Sequence, residues 1–323
     1  MNPLNGAGTI TEVDCAGDED SMSSADLHVL ITGGTGFIGS ALARRLEASG
    51  ARVSVLTRDR QRARRHFDFE VTAVESFDEL GADEVPDVIV NLAGKNLGEE
   101  RWNAEVKQEL VARRVDTTQR VVDYIAATPR RPQLLISGSA VGFYGARGDE
   151  MLSEEDSPGN EFQSNLCRQW EAAAREAERF GVRVCISRTG IVMGRGGGML
   201  SGLLPMFRLG LGAVAGDGRQ WVSWIQMEDL VDLFIGFMLD PALSGAFNNT
   251  APNPVTNREF SSKLGQAIDR PVLLRVPGFA MRLLYGELAH LYLTGQRVVP
   301  CRHLNAGHRY RYPEIGQALA ASV

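Results

Sequence analysis

Residues 27–39 read Leu-His-Val-Leu-Ile-Thr-Gly-Gly-Thr-Gly-Phe-Ile-Gly, and residues 53–58 read Val-Ser-Val-Leu-Thr-Arg. Val29, Leu30 and Ile31 form a short apolar run rich in β-branched residues and bounded by glycine, which predicts a buried strand. Gly33, Gly36 and Gly39 follow at once. From Phe37 the apolar positions Ile38, Leu42 and Leu46 recur at helical spacing, so the glycines sit at a strand-to-helix turn, where a dinucleotide-binding fold requires them. Gly33 permits the tight turn, Gly36 lets backbone approach a pyrophosphate, and Gly39 lets the helix pack on the strand. A glycine triplet alone is only a turn. This one has its strand, its helix and a second strand, and that context makes it a nucleotide site. Thr35, Gly36, Phe37 and Ile38 form the helix start, whose unpaired N–H groups and partial positive charge suit a diphosphate.

The second strand, Val53 to Thr57, ends where a dinucleotide enzyme selects its coenzyme. An acidic residue there would grip the ribose 2′-hydroxyl. Thr57 and Arg58 instead offer a small hydroxyl and a guanidinium suited to a 2′-phosphate, so NADP(H) is expected over NAD(H).

The 323 residues can hold a nucleotide domain and a smaller lobe, with ample apolar content for a core. No window approaches ~18 uninterrupted apolar residues, and no membrane span is expected. The first 26 residues carry six acids (Glu12, Asp14, Asp18, Glu19, Asp20, Asp26) and no Lys or Arg. The chain has 40 acids against 34 bases, so the whole net charge of -6 lies in this leader. It is Gly- and Ser-rich, without the apolar run of a secretory signal or the arginines of a transit peptide, and is expected to be a disordered tail; Met22 is an alternative start. The balanced remainder argues against nucleic acid as a partner. Cys15, Cys167, Cys185 and Cys301 show no C-x-x-C pairing, as in a reduced cytoplasmic protein with no structural metal.

Arginines 60, 62, 64 and 65 read as a solvated helix face, one of them a possible aid to Arg58. A third strand falls near Glu70–Val74 and a fourth at Val88–Asn91, ending in Asn91-Leu92-Ala93-Gly94. Small residues there let the ribose and nicotinamide lie against backbone. Arg101 and Trp102 follow in a loop expected to overhang the nicotinamide end; alternatively Trp102 staples the next helix, 103–127. A fifth strand, Leu134–Ile136, runs into Ser137-Gly-Ser139-Ala-Val-Gly-Phe-Tyr144-Gly145. Ser139 is a candidate donor to a substrate oxygen, or a cap for its loop. A helix at 162–180 holds Cys167, Trp170 and Glu171, and Val182–Ile186 makes a sixth strand.

Six strands separated by helices imply an α/β, Rossmann-type, doubly wound parallel sheet of order 3-2-1-4-5-6. This domain spans residues 27–194, with returning segments near 220–250. From 195 to 323 a smaller α+β lobe is expected to hold substrate. In it Asp229 caps a helix at 230–239, Thr256 caps another, an amphipathic helix covers Phe279–Leu293, and Arg297 lies in a basic segment.

Thr32-Gly-Gly-Thr-Gly-Phe-Ile-Gly39, Asn91-Leu-Ala-Gly94, the Ser-x-Ser-Ala-Val-Gly-x-Tyr-Gly145 loop and Trp224-Ile-x-x-x-Asp229-Leu resemble the extended short-chain dehydrogenase/reductases. The chain is more narrowly similar to their atypical YfcH-like branch of epimerase family proteins, including Pro252-x-Pro-Val-Thr-Asn257 and Gly295-Gln-Arg-Val-x-Pro300 in a C-terminal domain of unknown function. The resemblance covers residues 27 to about 318. In catalytic members a Tyr and a Lys four residues later lie on the helix after strand five, with a Ser or Thr opposite. Helix-to-helix alignment puts Cys167 at the Tyr and Glu171 at the Lys, and Arg114 replaces a family asparagine.

A carboxylate in place of the ammonium would raise, not lower, a neighbouring acid's pKa, so Glu171 cannot do the lysine's work. Cys167 is either a proton donor or a buried small hydrophobe. Tyr144 and Ser139 are the alternative donors, and Glu171 is a general base if desolvated, or a hydrogen-bond partner of cofactor or loop. The resemblance implies hydride transfer between NADP(H) and a small carbonyl or alcohol, with Arg101 or Arg297 engaging a polar substrate group. The rival is a binding protein that senses NADP(H) without chemistry. Nucleotide-sugar epimerisation ranks behind both, because the usual acid/base pair is absent. A homodimer through the helices at 103–127 and 162–180 is also implied.

Overall fold

In the computed structural model, which describes residues 27–81 and 84–323, the strand predicted before the glycines runs His28–Thr32 (β1) and is buried along its whole length. The acidic leader, with Met22 and Cys15, lies outside the described residues. Side chains of β1 alternate: Val29 and Ile31 enter one hydrophobic core and Leu30 enters another on the opposite face. β2 (Arg52–Leu56) and β3 (Thr72–Val74) continue the sheet on one side. On the other lie β4 (Val88–Asn91), β5 (Leu134–Ala140), β6 (Arg183–Thr189) and β7 (Gly245–Asn249). All pairings are parallel, in the order β3-β2-β1-β4-β5-β6-β7. The expected six-strand order is therefore present, and β7 extends it beyond the sixth strand, from Gly245 beside Cys185 to Asn249 beside Thr189. The alternation of strands and helices along the chain gives six strands and omits β7, which reaches the sheet only after a long excursion through the lobe.

Helices alternate with the strands. α1 (Phe37–Ala48) follows β1, α2 (Arg60–His66) follows β2, α3 (Ala104–Ala127) follows β4 and α4 (Phe162–Arg175) follows β5. α5 (Gly198–Arg208) and α6 (Met227–Leu239) lie between β6 and β7, and α7 (Asn257–Ala267) and α8 (Gly278–Tyr285) come after. Leu42, Leu46, Leu230 and Phe234 of α1 and α6 cover one face with Ile31, Val55, Val90 and Ile136. Val121, Val122 and Ile125 of α3 and Ala174 of α4 cover the other with Leu30, Ile89 and Leu135. Each such side chain taken from water contributes ~1.5–3 kcal/mol, which is why a short apolar strand suffices to fix its place.

Three local expectations change. Asp229 does not cap its helix: the Gln226 side chain accepts from Glu228 N–H at that end. Asp229 sits inside the first turn, buried, and its carboxylate accepts from the backbone N–H groups of Arg311 (2.7 Å) and Tyr312 (3.1 Å). The helix expected at 279–293 breaks at Gly286, whose φ of +60° ends α8 before a second short helix, Ala289–Leu293. The helix expected over 162–180 is α4 followed by a tighter turn at Glu176–Phe180. Thr256 does cap α7, accepting from Glu259 N–H.

Beyond β6 a separate hydrophobic cluster forms around Trp224, Phe207 and Phe260, joined by Ile315 and Leu319 from a helix at Ile315–Ser322. Short parallel ribbons tie this lobe together: Ile191–Met193 with Trp224–Gln226, Ala213–Ala215 with Leu274–Val276, and Met151–Leu152 with Arg297–Val298. No helix among the described residues is long and apolar enough to cross a membrane.

Candidate functional site

The strand order reverses between β1 and β4, so the connections from these two strands leave in opposite directions and open a crevice at their carboxyl ends. The glycine turn lies there. Gly33 has φ +71°, a conformation costly for any residue with a Cβ. A Cβ on Gly39 would stand 2.4 Å from the Gly33 carbonyl oxygen, so α1 can start this close to β1 only with glycine at that position. Gly36 is the N-terminal cap of α1 and carries no side chain over the helix end. Gly33 also packs on the segment after β4, with its Cβ position 3.0 Å from Leu92 C and Ala93 N. The Phe37 ring is covered by Gly194 and Gly197, which fastens the turn to the chain beyond β6. Thr35 and Ile38 are half-buried beside it.

At the end of β2, Thr57 N–H pairs with Val74 O, and its hydroxyl accepts from Asp59 N–H. Asp59 then caps α2. Arg58 projects from this corner, exposed, and pairs with no carboxylate among the described residues, whereas its neighbour Arg60 is held by Glu79. A guanidinium at the end of β2 thus remains open to an anion.

Asn91 is buried and its side chain is fully engaged: Oδ1 accepts from Thr32 Oγ1 (2.6 Å) and Nδ2 donates to Thr118 Oγ1 (2.8 Å). It braces β1, β4 and α3, leaving Leu92, Ala93 and Gly94 to line the crevice. Arg114 supports the same loop, donating to Lys95 O at 2.6 Å and lying over the Trp170 ring.

The four catalytic candidates converge at the ends of β5 and β6, and three of them belong to one hydrogen-bonded chain. Ser139 Oγ donates to Glu171 Oε1 (2.7 Å). Arg188 grips Glu171 through both carboxylate oxygens and donates through Nη1 to Tyr144 OH (3.0 Å), which donates to Asn248 Oδ1 (2.6 Å). Glu171 is therefore not a free general base. Tyr144 is fully buried, and burial pushes its pKa up to about 12 despite Arg188 and Asn248. Cys167 is buried too, and burial followed by the Glu171 charge pushes its thiol up to about 11. Its Sγ faces Ala140 O at 3.8 Å.

Beyond them lies a cavity of about 580 Å³ between the first turns of α3 and α4 and the helices after Pro277. Trp102 lines it, edge-on to Phe162 at 4.9 Å, with its indole N–H on Leu97 O, so the tryptophan both staples the start of α3 and walls the cavity. Arg101 and Arg297 do not line it. Arg101 reaches Leu283 O, and Arg297 stacks on Trp221 at 4.4 Å.

Residues 29–248 match the NAD dependent epimerase/dehydratase family, and residues 276–322 match a domain of unknown function, DUF1731. The chain belongs to the NAD dependent epimerase/dehydratase family. It is 37% identical over 307 residues to the chloroplastic epimerase family protein SDR39U1 homolog of Arabidopsis thaliana, covering 93% of this chain and 88% of that one. It is 36% identical to the human epimerase family protein SDR39U1, covering 92% of this chain and 100% of that protein. The crystal structure of the human protein (isoform 2) with NADPH superposes with a TM-score of 0.81 at 34% identity, covering 91% and 98% of the two chains. A nucleoside-diphosphate sugar epimerase from Corynebacterium glutamicum superposes at 0.74 and 33% identity, covering 93% of this chain and 58% of that one. A UDP-glucose 4-epimerase from Thermotoga maritima (0.73, 15% identity) shares the fold.

Sequence reasoning missed Arg188 and Asn248, the partners of Glu171 and Tyr144. The signal was present in Val-Cys-Ile-Ser-Arg188, since an arginine at the inner end of a buried strand demands an anion. It also missed Gln163 and His290, which line the cavity and carry buried polar atoms without partners. Burying such atoms unpaired costs ~1–3 kcal/mol each, a cost no run of local sequence discloses.

Proposed function

We propose that this protein is an NADP(H)-dependent oxidoreductase acting on a small carbonyl or alcohol held between the sheet and the C-terminal lobe. The observation that carries the reading is the glycine turn packed on Leu92–Ala93 at the switch point, with the Arg58 guanidinium open beside it. Gly36 and the start of α1 hold the diphosphate, Thr57 and Arg58 the 2′-phosphate, and Leu92 to Gly94 the nicotinamide ribose. The bound coenzyme would supply or accept the hydride, and the accompanying proton would be exchanged with solvent at the reacting oxygen. Ser139 orients the reacting oxygen: its proton is committed to Glu171, so its free lone pairs suit a substrate that offers a hydroxyl. Loss of NADPH absorbance in stopped flow across a carbonyl panel, and its gain from NADP⁺ with the matching alcohols, tests the reading. Tight coenzyme binding with no turnover of any compound counts against it.

A second reading is favoured by the closed hydrogen-bond chain around Glu171, in which the Ser139 and Tyr144 protons are already engaged by Glu171 and Asn248, while burial makes Tyr144 and Cys167 weak acids. On this reading the protein senses the redox state of NADP(H) and passes it to a partner. Pull-downs with NADP⁺ and with NADPH then differ; identical captures remove it.

A further inference from the structure

Gln163 is 3% exposed and lines the cavity, yet neither its Oε1 nor its Nε2 has a hydrogen-bond partner. It stands one helical turn before Cys167, on the same side of α4, and its stem packs on Gly142, whose Cβ position is 3.2 Å from Gln163 Cγ. Trp102 and Phe162 form the apolar wall, and His290 Nε2 is another buried atom of the lining with no partner. A second cavity of about 650 Å³ shares Arg282 and Leu293 with the first and adds Arg275. Lys107, the other cation of the first cavity, is held by Glu287, and Arg275 donates Nε to Gly216 O. Arg282 is exposed and pairs with no carboxylate among the described residues.

We propose that the two adjoining cavities form one elongated ligand site, in which Gln163 reads an uncharged amide in the first cavity and Arg282, at the junction of the two, holds an anionic group. A glutamine side chain presents a donor and an acceptor side by side in one plane. Only a planar group with the complementary pair, an amide or lactam edge, satisfies both; a ketone or carboxylate lacks the donor and an ammonium lacks the acceptor. The Arg282 guanidinium, with Arg275 also lining the second cavity, matches a carboxylate or a phosphate ester in shape and charge. Calling this ligand the substrate rests on the oxidoreductase reading, whereas the site itself does not.

The test is saturation-transfer NMR on the full chain saturated with NADPH, using succinamate, adipic acid monoamide, their methyl esters and 2-phosphoglycolamide. At least one amide acid binds. Methyl esterification and Arg282→Ala each weaken it tenfold or more, and Gln163→Leu abolishes it; the carboxylate and phosphate arms identify the anion. In the ligand-free protein Gln163→Leu raises the melting temperature by ~2 °C or more, because an unpaired buried amide gives way to an apolar side chain of similar size. A lowered melting temperature, binding indifferent to both variants, or no binding by any probe overturns the proposal. Binding of an amide acid together with no NADPH oxidation by any member of the carbonyl panel removes the oxidoreductase reading and leaves the site standing. Oxidation of NADPH by carbonyl compounds that is unaffected by both variants keeps that reading and shows that the ligand of this site is not the substrate; the site itself then falls only if the probes fail to bind or bind both variants equally.

Discussion

Arg188 at the end of β6 and Glu171 on α4 form a bidentate ion pair, Nε to Oε1 and Nη2 to Oε2, both at 2.9 Å, with side chains 6% and 5% exposed. The helix position that carries a lysine in catalytic relatives by resemblance thus carries a carboxylate whose charge is answered from the neighbouring strand. The pair locks Ser139 and Tyr144 in place and sets what this site can do.

Removing one partner strands the other's charge in a buried site. Glu171→Ala is expected to lower unfolding free energy by ~3–5 kcal/mol, and Glu171→Leu with Arg188→Met together to recover most of that. Urea titrations of the single and double variants measure both. A single-variant loss below ~1 kcal/mol, the size of an exposed pair, would show that the ion pair does not hold the region.

Arg58 is expected to discriminate between coenzymes. A charge-assisted contact is worth ~1.5–3 kcal/mol, so Arg58→Ala weakens NADPH binding roughly 10- to 100-fold and leaves NADH unchanged. Calorimetry with both coenzymes decides it. Equal losses for the two, or none, contradict recognition of the 2′-phosphate by this guanidinium.

Cys167 is expected to be a packing residue. With its thiol pushed up to about 11, it stays protonated at neutral pH and is shielded from alkylation until the chain unfolds. Peptide mapping after iodoacetamide at pH 8 checks the shielding, and Cys167→Ala should leave coenzyme affinity unchanged. A fall in turnover of ~10²-fold or more, the effect of losing a general acid, would make it catalytic instead.

Acid should weaken the protein through His303. Burial, then the neighbouring His308 and Arg302 charges, push its pKa down to about 3, while Nε2 is hydrogen-bonded to Asn249 Oδ1 at 2.8 Å. In the unfolded chain histidine titrates near ~6.5. Below that pH the unfolded state binds a proton the folded state refuses, so this contribution is complete above ~6.5 and declines towards pH 3, by at most ~1.4 kcal/mol per pH unit. Thermal melts between pH 7 and 4 should show the decline, and His303→Gln, which keeps a donor for Asn249, should flatten it. An unchanged slope in the variant would assign the acid sensitivity elsewhere.

The legible parts of the site were those built from contiguous residues. Gly33, Gly36 and Gly39 announce a strand-to-helix turn because positive φ and close backbone approach are properties of the residues themselves. Thr57 and Arg58 follow from the end of a strand five residues long. Asn91 was legible as the end of β4 but not as a brace, since its partners Thr32 and Thr118 come from two other elements. Trp102 left two readings open, a loop overhanging the nicotinamide end or a staple for the next helix; the fold shows the staple, and places the ring in the wall of the cavity.

The chain by itself determined the parallel sheet, its order through the sixth strand and the position of the nucleotide turn, because periodic burial and backbone freedom act over a few neighbouring residues. Tertiary structure alone decided that the returning segment near 220–250 pairs with the sixth strand as β7, that Glu171 meets Arg188, that Tyr144 meets Asn248 104 residues away, and that a cavity opens beside Gln163. These depend on which side chains the folded chain brings within hydrogen-bonding distance across low-dielectric interior, and separation along the chain carries no trace of it.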